Sequence, residues 1–162
     1  MERFEQVGGE QLMNSTLRVR KYNRTTYSLN GTWNLLVDLD DSFEMGIHAA
    51  YSSLGNNQFN EYPMKVPRKK FCQYLAEEYI EYQYVWVDKT NLPYIEKGST
   101  DNCPLPKKEY WIHDLVPIAA WVPPVIPTGY WRLTAELWST GTDQEILVQY
   151  HYYFKVSRRL PA

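Results

Sequence analysis

Apolar and polar side chains alternate along most of this chain, the period expected of strands with one buried and one wet face. From Tyr27 to Leu39 the odd positions read Tyr, Leu, Gly, Trp, Leu, Val and Leu. Ser28, Asn30, Thr32, Asn34, Leu36 and Asp38 fill the even ones. Upstream, Met13, Leu17 and Val19 oppose Asn14, Thr16, Arg18 and Arg20. Beyond the turn at Asp38–Ser42, Phe43, Met45, Ile47, Ala49 and Tyr51 oppose Glu44, Gly46, His48 and Ser52. These three segments predict a meander, closed by a turn in the polar run Ser52–Glu61.

The period changes at Phe71–Ile80, where Phe71, Leu75 and Tyr79 recur every four residues and predict a short amphipathic helix. Tyr82, Tyr84 and Trp86 then alternate with Glu81, Gln83 and Val85, which predicts a return to extended chain. Residues 88–108 are rich in turn residues and read as a loop. A short strand follows at Tyr110–Leu115, then the proline-rich apolar stretch Pro117–Gly129. Two last strands are expected. In the first, Trp131, Leu133, Ala135 and Leu137 form one face. In the second, Ile146, Val148, Tyr150, Tyr152, Phe154 and Val156 do, and a turn at Gly141 folds the pair into an antiparallel hairpin.

Composition fits this picture. The chain has 162 residues, enough for one ordinary domain, and its 6 Trp, 14 Tyr and 5 Phe favour strands over a helical bundle. The 17 basic side chains are matched by 19 acidic ones, with 9 and 10 in residues 1–80 and 8 and 9 in residues 81–162. No basic field exists to hold a phosphate backbone, which excludes nucleic acid as the main partner. The longest uncharged apolar stretch, Leu115–Pro127, is too short and too proline-rich for a membrane helix. No apolar leader follows Met1, so a signal peptide is absent from this chain. Asn14, Asn23 and Asn30 nevertheless each open a glycosylation sequon, which argues for secretion of a mature chain. Cys72 and Cys103 fit either two reduced core thiols or one bridge.

Catalytic machinery is not evident. The chain holds no Gly-rich phosphate loop, nucleophile elbow or zincin pair. His48, His113 and His151 fall on three different strands with no ligand spacing. The acidic run Asp38, Asp40, Asp41 and Glu44 lacks the Gly and distal Glu of a calcium loop and reads as a turn. No enzyme, cofactor or metal is expected. The aromatic inner parities predict either a filled core or an apolar cavity between splayed sheets, suited to an acyl chain or a hydrophobic odorant.

Taken in order, Leu29-Asn-Gly-Thr-Trp, Val37-Asp-Leu-Asp, Phe71-Cys-Gln-Tyr-Leu, Asn91-Leu-Pro, Cys103-Pro-Leu-Pro-Lys-Lys-Glu-Tyr-Trp-Ile and Pro127-Thr-Gly-Tyr-Trp-Arg-Leu resemble the large insect family of small secreted proteins that includes the CheB chemosensory proteins. That family is similar to the ganglioside activators and, more loosely, to the MD-2-related lipid-recognition fold. The resemblance runs from about Arg18 to the C-terminus. It implies a secretory leader, a β-cup with an apolar cavity, extracellular release, and pairing of Cys72 with Cys103. The chain departs from the ganglioside activators in having one possible bridge where they have several.

The expectation is therefore a single ganglioside-activator-like, mainly β domain over residues 1–162, an antiparallel sandwich or cup of about seven or eight strands with one short helix. Its expected role is a secreted, non-enzymatic binding protein for a lipid or hydrophobic semiochemical. The expected lining is Trp33, Leu35, Val37, Ile47, Leu75, Tyr79, Trp131, Leu133, Leu137, Val148, Tyr150 and Tyr152. Trp121, Val122, Val125 and Ile126 would form a lid or a membrane contact. Two rivals stand beside it. One is a solid-core module acting on a receptor or channel, and the other is a glycolipid-presenting hydrolase cofactor.

Overall fold

The structure is a computed structural model that describes residues 3–24, 26–56, 58–99, 101–116, 127–141 and 145–156. Nine strands are present among these residues: β1 (Arg3–Val7), β2 (Met13–Ser15), β3 (Arg18–Lys21), β4 (Tyr27–Leu35), β5 (Phe43–Ser52), β6 (Asn60–Lys70), β7 (Lys108–Leu115), β8 (Gly129–Ser139) and β9 (Ile146–Val156). They form two antiparallel sheets. The larger has the order β1-β9-β8-β5-β6; in the smaller, β2 and β3 share one edge of β4 and β7 takes the other.

The β8–β9 hairpin forms as the alternation predicts, with Leu137 opposite Val148 and Ala135 opposite Tyr150. The meander forms in part: β2 and β3 pair antiparallel with β4, but β5 does not join them. β4 and β5 are consecutive but lie in different sheets, and β5 pairs with β6 and β8 instead. Residues 36–39 leave the strand and cross between the sheets, where Leu39 makes an isolated bridge to Leu105. Two strands had no clear signal in the pattern, and both are sheet edges. β1 is short. β6 carries Pro63, Pro67 and several lysines, and its pairing with β5 shifts register twice. Proline cannot donate to a ladder, and lysine blunts an exposed edge, so an edge of this composition hides its strand character.

The helical segment, here α1, runs from residue 71 to 85. It opens as α-helix at Phe71–Tyr74, passes through a π turn at Leu75–Tyr79 and an α turn at Ile80–Tyr82, and closes as a 3-10 turn at Gln83–Val85. The expected return to extended chain at Tyr82 is thus overturned. The Gln83 amide explains it: buried, it donates from Nε2 to the Ile95 carbonyl at 2.7 Å and accepts the Ile95 N–H at 2.9 Å. A paired buried amide holds the helix end against the following loop. At the other end, the Asp41 carboxylate accepts the Cys72 N–H at 3.0 Å, a favourable charge for a helix start.

Cys72 and Cys103 are bonded, with Cα atoms 5.6 Å apart. The bridge ties the first turn of α1 to the loop that carries Leu105. The core cluster gathers Met13, Leu35, Leu39, Phe71, Leu75, Tyr79, Ile95, Leu105, Tyr110, Leu137 and Val148, so it draws on both sheets, the helix and the loop. Among the described residues, no helix is long and apolar enough to cross a membrane.

Candidate functional site

The two sheets and α1 do not close completely on one another. They leave an apolar cavity of about 240 Å³. The larger sheet contributes Met45, Ala135, Leu137, Val148 and Tyr150, and the smaller sheet Met13, Trp33, Ile112 and Leu115. α1 adds Phe71, Tyr74, Leu75 and Tyr79, and the loops add Leu39, Trp86, Thr90, Leu92 and Leu105. The four-residue spacing of Phe71, Leu75 and Tyr79 puts all three on the buried side of the helix. By volume the space exceeds the about 150 Å³ that accepts benzene in an engineered apolar cavity. Scaled on that case, it accommodates roughly ten heavy atoms.

Six of the expected lining residues meet here: Trp33, Leu75, Tyr79, Leu137, Val148 and Tyr150. The other six do not reach the wall. Leu35 is 1% exposed and lies within the solid core. Val37, partly buried, packs against that core from outside. Trp131 is 2% exposed, but it packs on Tyr51 (5.1 Å between centroids) and Tyr62 (4.9 Å) in a separate aromatic group. Tyr152 stacks on Phe154. Leu133 is 41% exposed and Ile47 half-buried. Trp131, Leu133 and Tyr152 belong to the same inner face as Leu137, further along the sheet, because β8 and β9 keep one register from Trp131–Phe154 to Leu137–Val148, and Ile47 lies on that face one strand over, opposite Ala135. Parity assigns a face; it does not say where the second sheet and the helix stop covering it.

The expected lining lacks Met13, Leu39, Met45, Phe71, Ile112 and Ala135, which lie on periods that the pattern displays, and Tyr74 and Leu115, which do not; Leu115 has the opposite parity to Ile112, and the irregular β4–β7 register brings both to the wall. It also lacks Thr90, Leu92 and Leu105, which sit in loops where no period exists, and Trp86, whose alternation with Tyr82 and Tyr84 predicts extended chain rather than the end of a helix. Glu136 also borders the cavity, but it has the opposite parity to Ala135 and Leu137, and its carboxylate lies toward the outer side of the sheet. There it meets His48 Nε2 at 3.2 Å and accepts from Gln149 at 2.7 Å. The expected lid or membrane-contact residues Trp121, Val122, Val125 and Ile126 lie outside the described residues.

The polar groups of the wall divide into two sets. On the side of the sheets, Trp33 Nε1 donates to the Tyr150 hydroxyl at 2.9 Å, and that hydroxyl donates to Gln6 Oε1 at 3.1 Å. Gln6 Nε2 in turn reaches the Met13 carbonyl at 2.9 Å. This chain is complete. Burial pushes the Tyr150 hydroxyl well above the ordinary phenol range, against a smaller lowering from the Trp33 N–H. On the helix side, the Tyr79 hydroxyl donates to the Pro93 carbonyl at 2.5 Å. Burial pushes it up to about 12, offset in part by the Trp86 indole N–H beside it.

Three sequon asparagines were singled out. Asn14 and Asn23 are exposed. Asn30, which parity placed on a wet face, is buried. It is 7% exposed, its Nδ2 donates to Ser28 Oγ at 2.8 Å, and its Oδ1 accepts the Asp114 N–H at 2.9 Å. β7 folds over it. The adjacent Gly31 has φ +137°, and a Cβ there would stand 2.6 Å from the Thr16 carbonyl oxygen, so the close approach of backbones requires glycine.

The remaining sequence candidates have structural partners. Asp38 accepts the Lys107 N–H at 2.7 Å and Asp40 the Ser42 N–H at 2.8 Å. His48 sits between Glu61 (3.1 Å) and Glu136, His151 bonds Thr134 at 2.8 Å, and His113 stacks on Trp111. Among the described residues, no three His, Cys, Asp or Glu side chains cluster as a metal site requires.

No curated protein matches the chain. A family model does, and it covers the helix, both cysteines and the strands β5 to β7. It is consistent with an MD-2-like lipid-recognition β fold. Residues 45–133, more than half of the chain, match the family described as "Protein of unknown function (DUF1091)", and the chain belongs to that family.

Proposed function

We propose that this chain is a non-enzymatic carrier, secreted from the cell, that holds a small hydrophobic molecule between its sheets and its helix. One observation carries the reading: the apolar cavity of about 240 Å³, walled by aromatic and aliphatic side chains from both sheets, α1 and the loops. Burying a guest of this size away from water yields a favourable transfer free energy, and rigid walls reduce the ordering cost. The cystine supports the secreted part of the proposal, because such bridges persist in oxidising compartments. The resemblance to the CheB proteins supports a finer version, in which the guest is a hydrophobic semiochemical and the setting chemosensory. The space is ample for a short alkyl chain, which favours a carrier over a solid-core module.

The test is native mass spectrometry of freshly purified protein, together with uptake of the apolar fluorophore N-phenylnaphthylamine. A bound mass that organic extraction removes, and saturable fluorophore uptake near one per chain, are expected. A chain that emerges empty and takes up no fluorophore sinks the carrier.

A further inference from the structure

The ladder register of β5, β8 and β9 sets the inner face of the larger sheet in rungs. Met45–Leu137–Val148 and Ile47–Ala135–Tyr150 lie at the cavity, and all but Ile47 are on its wall. Further along, the rung Tyr51–Trp131–Phe154 is closed: Trp131 is 2% exposed beside the rings of Tyr51 and Tyr62. Between them lies Ala49–Leu133–Tyr152, and it is open. Leu133 is 41% exposed, although it lies on the inner face of β8, the central strand of the five. An inward leucine at the centre of a sheet is ordinarily among the most buried of side chains. Ala49 and Tyr152 beside it are half-buried. The apolar surface of the cavity thus runs on by one rung before the aromatic group ends it. Successive rungs are two residues apart, about 7 Å, which a zigzag chain of ~1.5 Å bonds crosses with about five carbons.

The cavity fixes which end of a guest goes in. Its wall presents carbon and sulfur almost throughout, and the polar groups behind that surface are already engaged or turned from it. The Trp33 N–H and the Tyr150 and Tyr79 hydroxyls have acceptors in the protein. Thr90 Oγ1 accepts the Leu92 N–H, and the Trp86 N–H is buried. A polar group carried in would lose its water and find no partner. At the open rung it keeps its water, because Leu133 reaches solvent.

Resting on the carrier reading, we infer that the site continues past the cavity onto Ala49, Leu133 and Tyr152, and that the guest is an unbranched chain of roughly fifteen heavy atoms, bound tail first with its polar end at the Leu133 rung.

Displacement of N-phenylnaphthylamine by methyl esters of increasing length tests this on extracted, unaltered protein. Methyl heptanoate matches the cavity, and methyl dodecanoate matches the cavity plus the open rung. Between the two, affinity rises about two- to fourfold per methylene, the lower figure for a chain covered on one side, and it levels off beyond methyl dodecanoate. A rise that stops at methyl heptanoate overturns the inference while the carrier stands. So does a rise that continues undiminished to methyl hexadecanoate, the behaviour of partition without a bounded site. Leu133→Thr weakens methyl dodecanoate about four- to tenfold and leaves methyl heptanoate within about twofold. Equal weakening of both esters, or of neither, overturns the inference. If no ester binds, the carrier falls with it. The length series needs no variant, so it decides the matter even if Leu133→Thr does not fold.

Discussion

Ala135→Leu tests the cavity by the sign of its effect. Ala135 sits midway along β8, between Ile47 and Tyr150 in the ladder, with its methyl group on the cavity wall. Leucine adds three carbons there. Each methylene removed from water contributes about 0.8 kcal/mol, a gross gain of about 2.4 kcal/mol. Fixing the longer side chain costs about 0.5–1 kcal/mol. The net expectation is a stabilisation of about 1.5–2 kcal/mol. For a chain of this length that raises Tm by about 3–8 °C. The guest must also shrink. If about 240 Å³ takes ten heavy atoms, filling with three carbons leaves room for roughly seven. The assays are urea unfolding of extracted, ligand-free, oxidised protein, and displacement titrations with methyl esters of increasing chain length. The expected pair of results is a higher urea midpoint and a length optimum shorter by about three carbons. A densely packed site responds with the opposite sign, since overpacking costs about 1–3 kcal/mol. Lower stability refutes the cavity, and higher stability with an unchanged length optimum refutes its role as the binding site.

Three further outcomes are expected. Replacing Cys72 and Cys103 together with Ser should lower stability by about 3–4 kcal/mol in the chain-entropy account of a 31-residue separation. It should also loosen α1 over the cavity, which denaturant midpoints and amide exchange at residues 71–79 would report; full protection there would contradict the role given to the bridge. Asn30 should carry no glycan on protein secreted from eukaryotic cells, as glycopeptide mapping can show, and Asn30→Ala should cost about 1–3 kcal/mol by leaving the Asp114 N–H unmatched. Alkaline stability follows from the buried phenols. Tyr79 is held neutral up to about 12, and Tyr74 and Tyr150 are raised by burial as well, while in the unfolded chain tyrosine ionises near pH 10. Their stabilising contribution is complete below about pH 10 and is lost as pH climbs toward 12, because there the unfolded chain releases protons that the native state retains. Tyr79→Phe should flatten urea midpoints across that window, and an unchanged slope would contradict the assignment.

Several features were legible because they are local. The β8–β9 hairpin depends on alternation and on a turn between neighbouring segments, both of which are written in consecutive residues. The helical spacing of Phe71, Leu75 and Tyr79 marked a buried face in the same way. Where the reading failed, distant residues had intervened. Tyr82, Tyr84 and Trp86 alternate like a strand, but the Gln83 amide and the Ile95 backbone hold the chain helical through residue 85. Asn30 has the parity of a wet face, yet Asp114, 84 residues away, covers it.

The sequence by itself determined a mainly β chain, its helix start, and the inner and outer faces of its longer strands. Those properties follow from side-chain type and period, which act over a few residues. Tertiary structure alone decided which sheet each strand joined, that Cys72 meets Cys103, and that Trp33 and Tyr150 wall a cavity while Trp131 and Leu133, of the same face as Tyr150, do not. A cavity is the volume that close-packed elements fail to fill, and that depends on how far one layer overlaps another, a quantity no local pattern contains.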